Sequence, residues 1–207
     1  MPGCQGETGD GRLLLTGYFP SGGESWMMMA KVKEVSELRP YRCQICGETY
    51  LGSTVPDRCP YCGVAGKHLL VAAEWVNHGA VELSPASRQY CQDALQLELS
   101  NAAFYKACSS KAENQITQSI FKRLSKQEAE HAELIAAMMG EEEPALGEED
   151  CPAEDEQKFA QAHDREKRAL QLYFEIVNSA PEPRMKEVFK ALAEVEGEHL
   201  QVSNIYR

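Results

Sequence analysis

Four cysteines fall within twenty residues, Cys43, Cys46, Cys59 and Cys62, as two Cys-x-x-Cys-Gly knuckles with twelve residues between them. Thiolates at this spacing can enclose one tetrahedral metal ion; zinc and iron both accept four sulfurs, and spacing alone does not choose between them. The other cysteines, Cys4, Cys91, Cys108 and Cys151, follow no regular spacing. A disulfide framework would be spread through a small secreted domain, so two paired knuckles favour a metal in a reducing compartment. The expected location is therefore the cytoplasm.

A second set of chemistry-bearing residues lies in the C-terminal half. Shifting the sequence by 68 residues superimposes Phe121-Lys122-x-Leu124 on Phe189-Lys190-x-Leu192, and Glu128-x-Glu130-His131 on Glu196-x-Glu198-His199. The same shift matches Glu98 with Glu166 and Tyr105 with Tyr173. An internal repeat of this kind implies two duplicated helical hairpins, each giving one Glu from its first helix and a Glu-x-x-His from its second. Helical spacing then fixes the face. Ile120, Leu124, Glu128, His131, Ile135 and Met138 step by three or four, as do Phe189, Leu192, Glu196 and His199, with Tyr206 two turns further on, so the ligand-type residues lie in apolar stripes. Glu166 and Tyr173 share a stripe with Phe159, Ala162 and Ala169, and Glu98 and Tyr105 share one with Cys91 and Ala102. Four carboxylates in a bundle core are untenable unless protonated, paired or metal-bound. No Lys or Arg lies on the stripes, whereas two divalent ions balance four carboxylates and two neutral imidazoles. Carboxylate-rich ligation with one imidazole per metal suits iron or manganese better than zinc, and iron is the expected metal. Glu130 and Glu198 are expected to be solvated or to lie outside the ligand set.

These residues need elements to hold them. After Ser84-Pro85, a helix N-cap and first-turn pair, the composition shifts to Ala, Leu, Glu, Gln and Lys with 3.6-residue periodicity. Helices are predicted over about Pro85 to Lys111, Glu113 to Met139, Ala153 to Ser179 and Arg184 to Tyr206, with Gly140 closing the second. At about 1.5 Å per residue each is roughly 40 Å long, a length suited to a bundle. Glu141 to Glu156 reads as an exposed acidic crossover. Tyr41 to Leu70 is short-stranded and punctuated by Gly and Pro, a knuckle-and-hairpin module too small to fold on apolar burial alone. A linker through Trp75, Asn77 and Gly79 follows. The glycine-rich residues 1–30 are predicted to be disordered, with Met27 to Met29 as alternative starts, so the predicted domains are 1–30, 39–74 and 84–207.

Composition narrows the partners. The 207 residues carry 21 Lys+Arg against 32 Asp+Glu, a formal charge of −11, which repels nucleic acid. The apolar run Ile135 to Met139 is five residues, far short of a bilayer span, so no membrane insertion is expected.

One Glu from each of two helices plus Glu-x-x-His from the other two is the ferritin-like di-iron or di-manganese pattern. Tyr41-Arg42-Cys43-Gln44-Ile45-Cys46-Gly47-Glu48-Thr49-Tyr50 with Cys59-Pro60-Tyr61-Cys62-Gly63 resembles rubredoxin. Joined in one chain, the whole resembles rubrerythrin from about Arg39 to Tyr206. The resemblance implies a mainly α protein, a ferritin-like four-helix bundle with a small N-terminal rubredoxin-like β-hairpin metal module. It also implies a non-haem iron peroxidase that reduces hydrogen peroxide, or alternatively oxygen, at a di-iron site. By resemblance, Glu128 and Glu196 bridge two irons, Glu98 and Glu166 are terminal ligands, and His131 and His199 bind one iron each. One iron in Cys43/Cys46/Cys59/Cys62 would relay electrons from a reductase or redox protein. Tyr105 and Tyr173 are catalytic candidates that would hydrogen-bond bound ligands or tune the redox step.

Two departures from the family matter. The cysteine module precedes the bundle, as in reverse-order members, and the place of a further carboxylate after the third-helix Glu holds Ala169, with His163 before it. Competing functions are iron oxidation and storage, or an oxidase with a structural zinc ribbon. Cys91 and Cys108 are expected to be packing residues, Cys4 and Cys151 exposed and reactive, and His68, His78 and His163 surface groups. The short linker between Leu70 and Ser84 is expected to make it hard for the cysteine module to approach the mid-bundle metals of its own chain, which a head-to-tail homodimer would solve.

Overall fold

The computed structural model describes residues 37–142 and 144–207. The expectations for residues 1–30, including Cys4 and the Met27 to Met29 starts, lie outside the described residues.

Three short strands, β1 (Arg39–Cys43), β2 (Thr49–Gly52) and β3 (Leu69–Val71), form one antiparallel sheet in the order β2-β1-β3. Tyr41 is opposite Tyr50 on one side of β1 and opposite Val71 on the other. The predicted hairpin thus gains a third strand, because the chain returns past the second knuckle and lays Leu69 against Cys43. Each knuckle is closed by a glycine in the left-handed region, Gly47 at φ 84° and Gly63 at φ 82°, which an L side chain rarely adopts. Gly47 N–H donates to Cys43 O and Gly63 N–H to Cys59 O. Trp75 is more than linker: its Nε1 donates to Cys43 O at 2.9 Å, and the Arg42 guanidinium stacks over its ring at 3.6 Å.

Four helices follow: α1 (Pro85–Ser110), α2 (Gln115–Met139), α3 (Asp155–Ser179) and α4 (Pro183–Tyr206), each within two residues of its predicted ends. The caps explain that accuracy. The Ser84 side chain accepts from Ser87 N–H at the start of α1, and Asn114 accepts from Ile116 and Thr117 N–H at the start of α2. Gly140, at φ 73°, ends α2. Helix α1 packs on α2, α3 on α4, and α1 against α3, as two duplicated hairpins require. Among the described residues no helix is long and apolar enough to cross a membrane.

The crossover between the hairpins is tied down rather than free. Glu149 accepts from Ser100 and Arg165, and Asp150 from Lys111. Lys158, buried at the start of α3, donates to Lys111 O, Ala153 O and Asp155 Oδ1 at 2.6, 2.7 and 2.7 Å. A buried ammonium does exist in the bundle, contrary to a literal reading of the stripes, but it neutralises Asp155 at one end and not the central carboxylates.

Candidate metal centres

The two knuckles bring Cys43, Cys46, Cys59 and Cys62 into one cluster, with all but Cys46 fully buried. Cys43 Sγ lies 3.9 Å from Cys62 Sγ, and Cys46 Sγ 3.8 Å from Cys59 Sγ. With metal–sulfur bonds of about 2.3 Å, a tetrahedron has edges of about 3.8 Å, so these sulfurs already stand at tetrahedral separation. Hydrogen bonds among the sulfurs hold Cys59 below and Cys46 above the usual thiol range, with Cys43 the first contributor to each. Four sulfurs held this close around one point fit a single metal ion.

The bundle core holds the second centre. Glu98 comes from α1, Glu128 and His131 from α2, Glu166 from α3, Glu196 and His199 from α4, and none is more than 4% exposed. They form two overlapping clusters: Glu98, Glu128, His131 and Glu196; and Glu128, Glu166, Glu196 and His199. Glu128 and Glu196 belong to both, the arrangement of bridging carboxylates. His131 Nδ1 lies 3.3, 3.1 and 3.7 Å from oxygens of Glu128, Glu196 and Glu98. His199 Nδ1 lies 3.0, 3.1 and 3.8 Å from oxygens of Glu128, Glu196 and Glu166. The imidazoles are nearly parallel, with centroids 6.2 Å apart, on the two sides of the bridging pair.

The donor set fits divalent ions. Buried Glu98 Oε2, Glu166 Oε2, Glu196 Oε1, both Glu128 oxygens and His131 Nδ1 have no well-formed hydrogen bond. Buried acceptors are ordinarily satisfied, and a site with this many orphans converging on two points is completed by cations. Burial, then the charges of Glu128 and Glu196, push Glu98 and Glu166 well above the usual carboxylate range. Burial would also raise Glu128, but the His199 charge and the closeness of both imidazoles hold it low. Carboxylates with imidazole and no thiolate suit iron or manganese.

Tyr105 and Tyr173 sit fully buried beside these ligands, and they cross between hairpins. The Tyr105 hydroxyl donates to Glu166 and the Tyr173 hydroxyl to Glu98. Sequence spacing had placed each tyrosine beside the Glu of its own helix; periodicity gives the face but not the partner across it. Among the remaining sites, Cys91 and Cys108 are buried, and burial pushes the Cys91 thiol up to about 12. Cys151 is half-buried rather than exposed. His163 meets Ser203 Oγ at 3.3 Å, and His78 meets Gln44 at 3.3 Å. Ala169 is packed in the core. Glu130 is half-buried near Cys46 and pushed up to about 7, chiefly by burial, and Glu198 pairs with Arg58.

The largest difference from expectation is where the cysteine module lies. It docks on its own bundle: Arg123 donates to Tyr61 O, Arg184 to Gln44 O, and Arg58 and Lys67 pair with Glu198 and Glu194 of α4. At the centre of this contact His131 Nε2 meets Cys62 O at 2.8 Å. A carbonyl only accepts, so Nε2 carries a proton and Nδ1 is the nitrogen that faces the carboxylates, where a metal ion would displace its proton. The premise that the linker keeps the module away from its own metals is thereby corrected; residues 72–84 need only follow the bundle surface, because the module lies flat against α2 and α4 instead of reaching past an end. Sequence reasoning missed this link because its acceptor is a backbone carbonyl.

Close approach at this contact requires Gly63. A Cβ there would stand 2.3 Å from Gln127 Nε2 and 3.1 Å from Val195 Cγ1, on a backbone with positive φ. Gly63→Ala is expected to destabilise the docked module by at least about 1 kcal/mol. Chemical denaturation followed at the Cys-site absorption should show an earlier midpoint than wild type, with the helical signal less affected.

A four-helix bundle with a dinuclear carboxylate–imidazole core and an attached four-cysteine module defines the class of protein. The family model described as "Rubrerythrin" matches residues 91–203, and "Rubrerythrin, rubredoxin-like domain" matches residues 41–69. The chain belongs to the rubrerythrin family. It is similar to reverse rubrerythrin-1 of Clostridium acetobutylicum, 26% identical over 116 residues, which covers 50% of this chain and 64% of that protein.

Proposed function

We propose that the protein is a non-haem iron oxidoreductase that reduces hydrogen peroxide to water at the Glu/His centre, with electrons supplied through the Cys4 centre by a reductase or redox protein in a reducing compartment. The observation that carries this reading is the hydrogen bond from His131 to Cys62 O, which joins a ligand of one centre to the chain of a ligand of the other. Family membership supports the same reading.

With iron bound, the Glu/His centre would supply the two electrons that cleave the O–O bond, and the Cys4 centre would pass replacements to it one at a time from the external reductant. Glu98, Glu128, His131, Glu166, Glu196 and His199 would hold the two ions, with Glu128 and Glu196 shared. The Tyr173 and Tyr105 hydroxyls orient Glu98 and Glu166 by donating to them, and burial keeps the Tyr105 phenol protonated. Reducing one peroxide to two waters consumes two protons, and these hydroxyl–carboxyl pairs hold protons at the site. A cavity of about 400 Å³ between α2 and α4, lined by Ile120, Leu124, Gln127, Val195 and His199, leads from the surface to the His199 edge and admits a small, uncharged substrate. The His131 edge is covered by the cysteine module, so electrons and substrate enter by different sides of the two imidazoles.

The test is anaerobic stopped-flow of reduced protein against one equivalent of hydrogen peroxide, with an oxygen control, followed at the ferric tetrathiolate absorption. Rapid colour return with peroxide and not with oxygen is the expected result. A faster response to oxygen would favour an iron-oxidising or storage protein, and colourless protein would mean zinc in the Cys4 site.

A further inference from the structure

Outside the metal centres, two thiols from distant parts of the chain come together. Cys108, fully buried, lies near the end of α1, one turn beyond Tyr105. Cys151, in the crossover, packs against the cluster of Phe104, Tyr105, Cys108, Phe121 and Phe159. The surrounding backbone holds them in register. Asp150 accepts from Lys111 Nζ at 2.7 Å and from Cys151 N–H at 3.0 Å. The buried ammonium of Lys158 binds both Lys111 O, three residues after Cys108, and Ala153 O, two residues after Cys151. Burial, and then Cys151 beside it, push the Cys108 thiol above its usual range, while Lys158 and Arg165 oppose this.

We propose that Cys108 and Cys151 form a peroxide-responsive dithiol that closes to a disulfide and staples the crossover to α1. Cys151 is the half-exposed member and meets the oxidant. Its sulfur attacks one peroxide oxygen as the thiol gives up its proton; an S–O bond forms, the O–O bond breaks, and water leaves with that proton. The Cys108 sulfur then attacks the Cys151 sulfur from beneath; the S–S bond forms, the S–O bond breaks, and a second water leaves with the Cys108 proton. Two thiols and one hydrogen peroxide give one disulfide and two waters, a two-electron oxidation of the pair, which a small dithiol reverses. Because Cys108 is enclosed in the aromatic cluster, it is shielded from direct oxidation and available only to its neighbour. The site is independent of the metals and of the peroxidase reading.

The experiment treats the metal-loaded full chain with a few equivalents of hydrogen peroxide, or separately with the thiol oxidant diamide. Remaining thiols are alkylated under denaturing conditions and the protein digested without reductant. The expected product is one peptide pair joining Cys108 to Cys151, with the loss of two hydrogens, restored by dithiothreitol. Cys151→Ser should abolish the pair and leave the Cys-site absorption intact. Cys108→Ser should leave Cys151 as a sulfenic acid trapped by dimedone. Oxidation should raise the thermal midpoint of the wild type and leave that of Cys151→Ser unchanged. The proposal is overturned if diamide leaves both thiols alkylated, or if Cys151 pairs with any other cysteine while Cys108 stays free.

Discussion

Glu128→Ala is expected to lower peroxide turnover by more than about 100-fold while the visible absorption of the four-cysteine site is unchanged. The magnitude follows from position. Replacing a partner that merely orients a ligand typically costs about 10- to 100-fold in metal affinity or activity. Glu128 belongs to both ligand clusters, and its two oxygens lie near both imidazoles. Removing it also unbalances charge, leaving three carboxylates where two divalent ions need four. The cysteine cluster is built wholly from residues between β1 and β3 and shares no ligand with the bundle, so its colour is the internal control that the chain has folded and loaded. Iron content by elemental analysis should fall toward one per chain. Full turnover with wild-type iron content would sink the assignment of the Glu/His centre as the site of reduction.

The repeat of 68 residues made the bundle legible because helical periodicity turns spacing into a face, and the face into a shared core. Helix ends were legible because Ser84, Asn114 and Gly140 cap them with chemistry that has a local signature. What escaped the sequence lacks such a signature. Strand β3 is only Leu69–Val71, too short for alternation to show. The crossed pairing of Tyr105 with Glu166 and Tyr173 with Glu98 depends on how α1 sits against α3, which no single-helix pattern encodes. The Cys62 carbonyl carries no residue-specific mark at all, so the link between centres emerges only when the docked module is seen. Linker length misled for the same reason: reach was judged as if the module had to extend toward the bundle's middle, whereas the Gly63 knuckle meets Gln127 and Val195 side-on.

Loading two divalent ions into the bundle at neutral pH should release about four protons, and removing them should leave a protein that weakens as pH rises. Four groups are pushed well above their ordinary values. For Glu98 and Glu166 the cause is burial, then the charges of Glu128 and Glu196. For His131 and His199 burial acts downward, but the surrounding carboxylates, Glu128 foremost, more than offset it. Glu128 and Glu196 go the other way: burial would raise them, yet the imidazoles hold them low. Protons on the four raised groups therefore leave two anions, Glu128 and Glu196, facing two imidazolium cations, a neutral cluster. Two divalent ions carry the same four positive charges, so they displace those protons one for one in charge. A raised group stabilises the fold fully below its unfolded value, 4.5 for Glu and 6.5 for His, and that contribution is lost as pH climbs through the folded value. Each proton the folded state must surrender weakens it by about 1.4 kcal/mol per pH unit. Glu128 and Glu196 give the opposite limb, stability lost as pH falls below 4.5. Bundle-chelated protein with a filled Cys4 site should thus melt highest in mild acid and progressively lower toward alkaline pH, and the fully loaded protein should lose that alkaline slope. Calorimetric metal titrations in buffers of different ionisation enthalpy count the protons directly. A release near zero, or a chelated midpoint that climbs with pH, would mean that the core carboxylates are neutralised by something other than the metals and protons assigned to them.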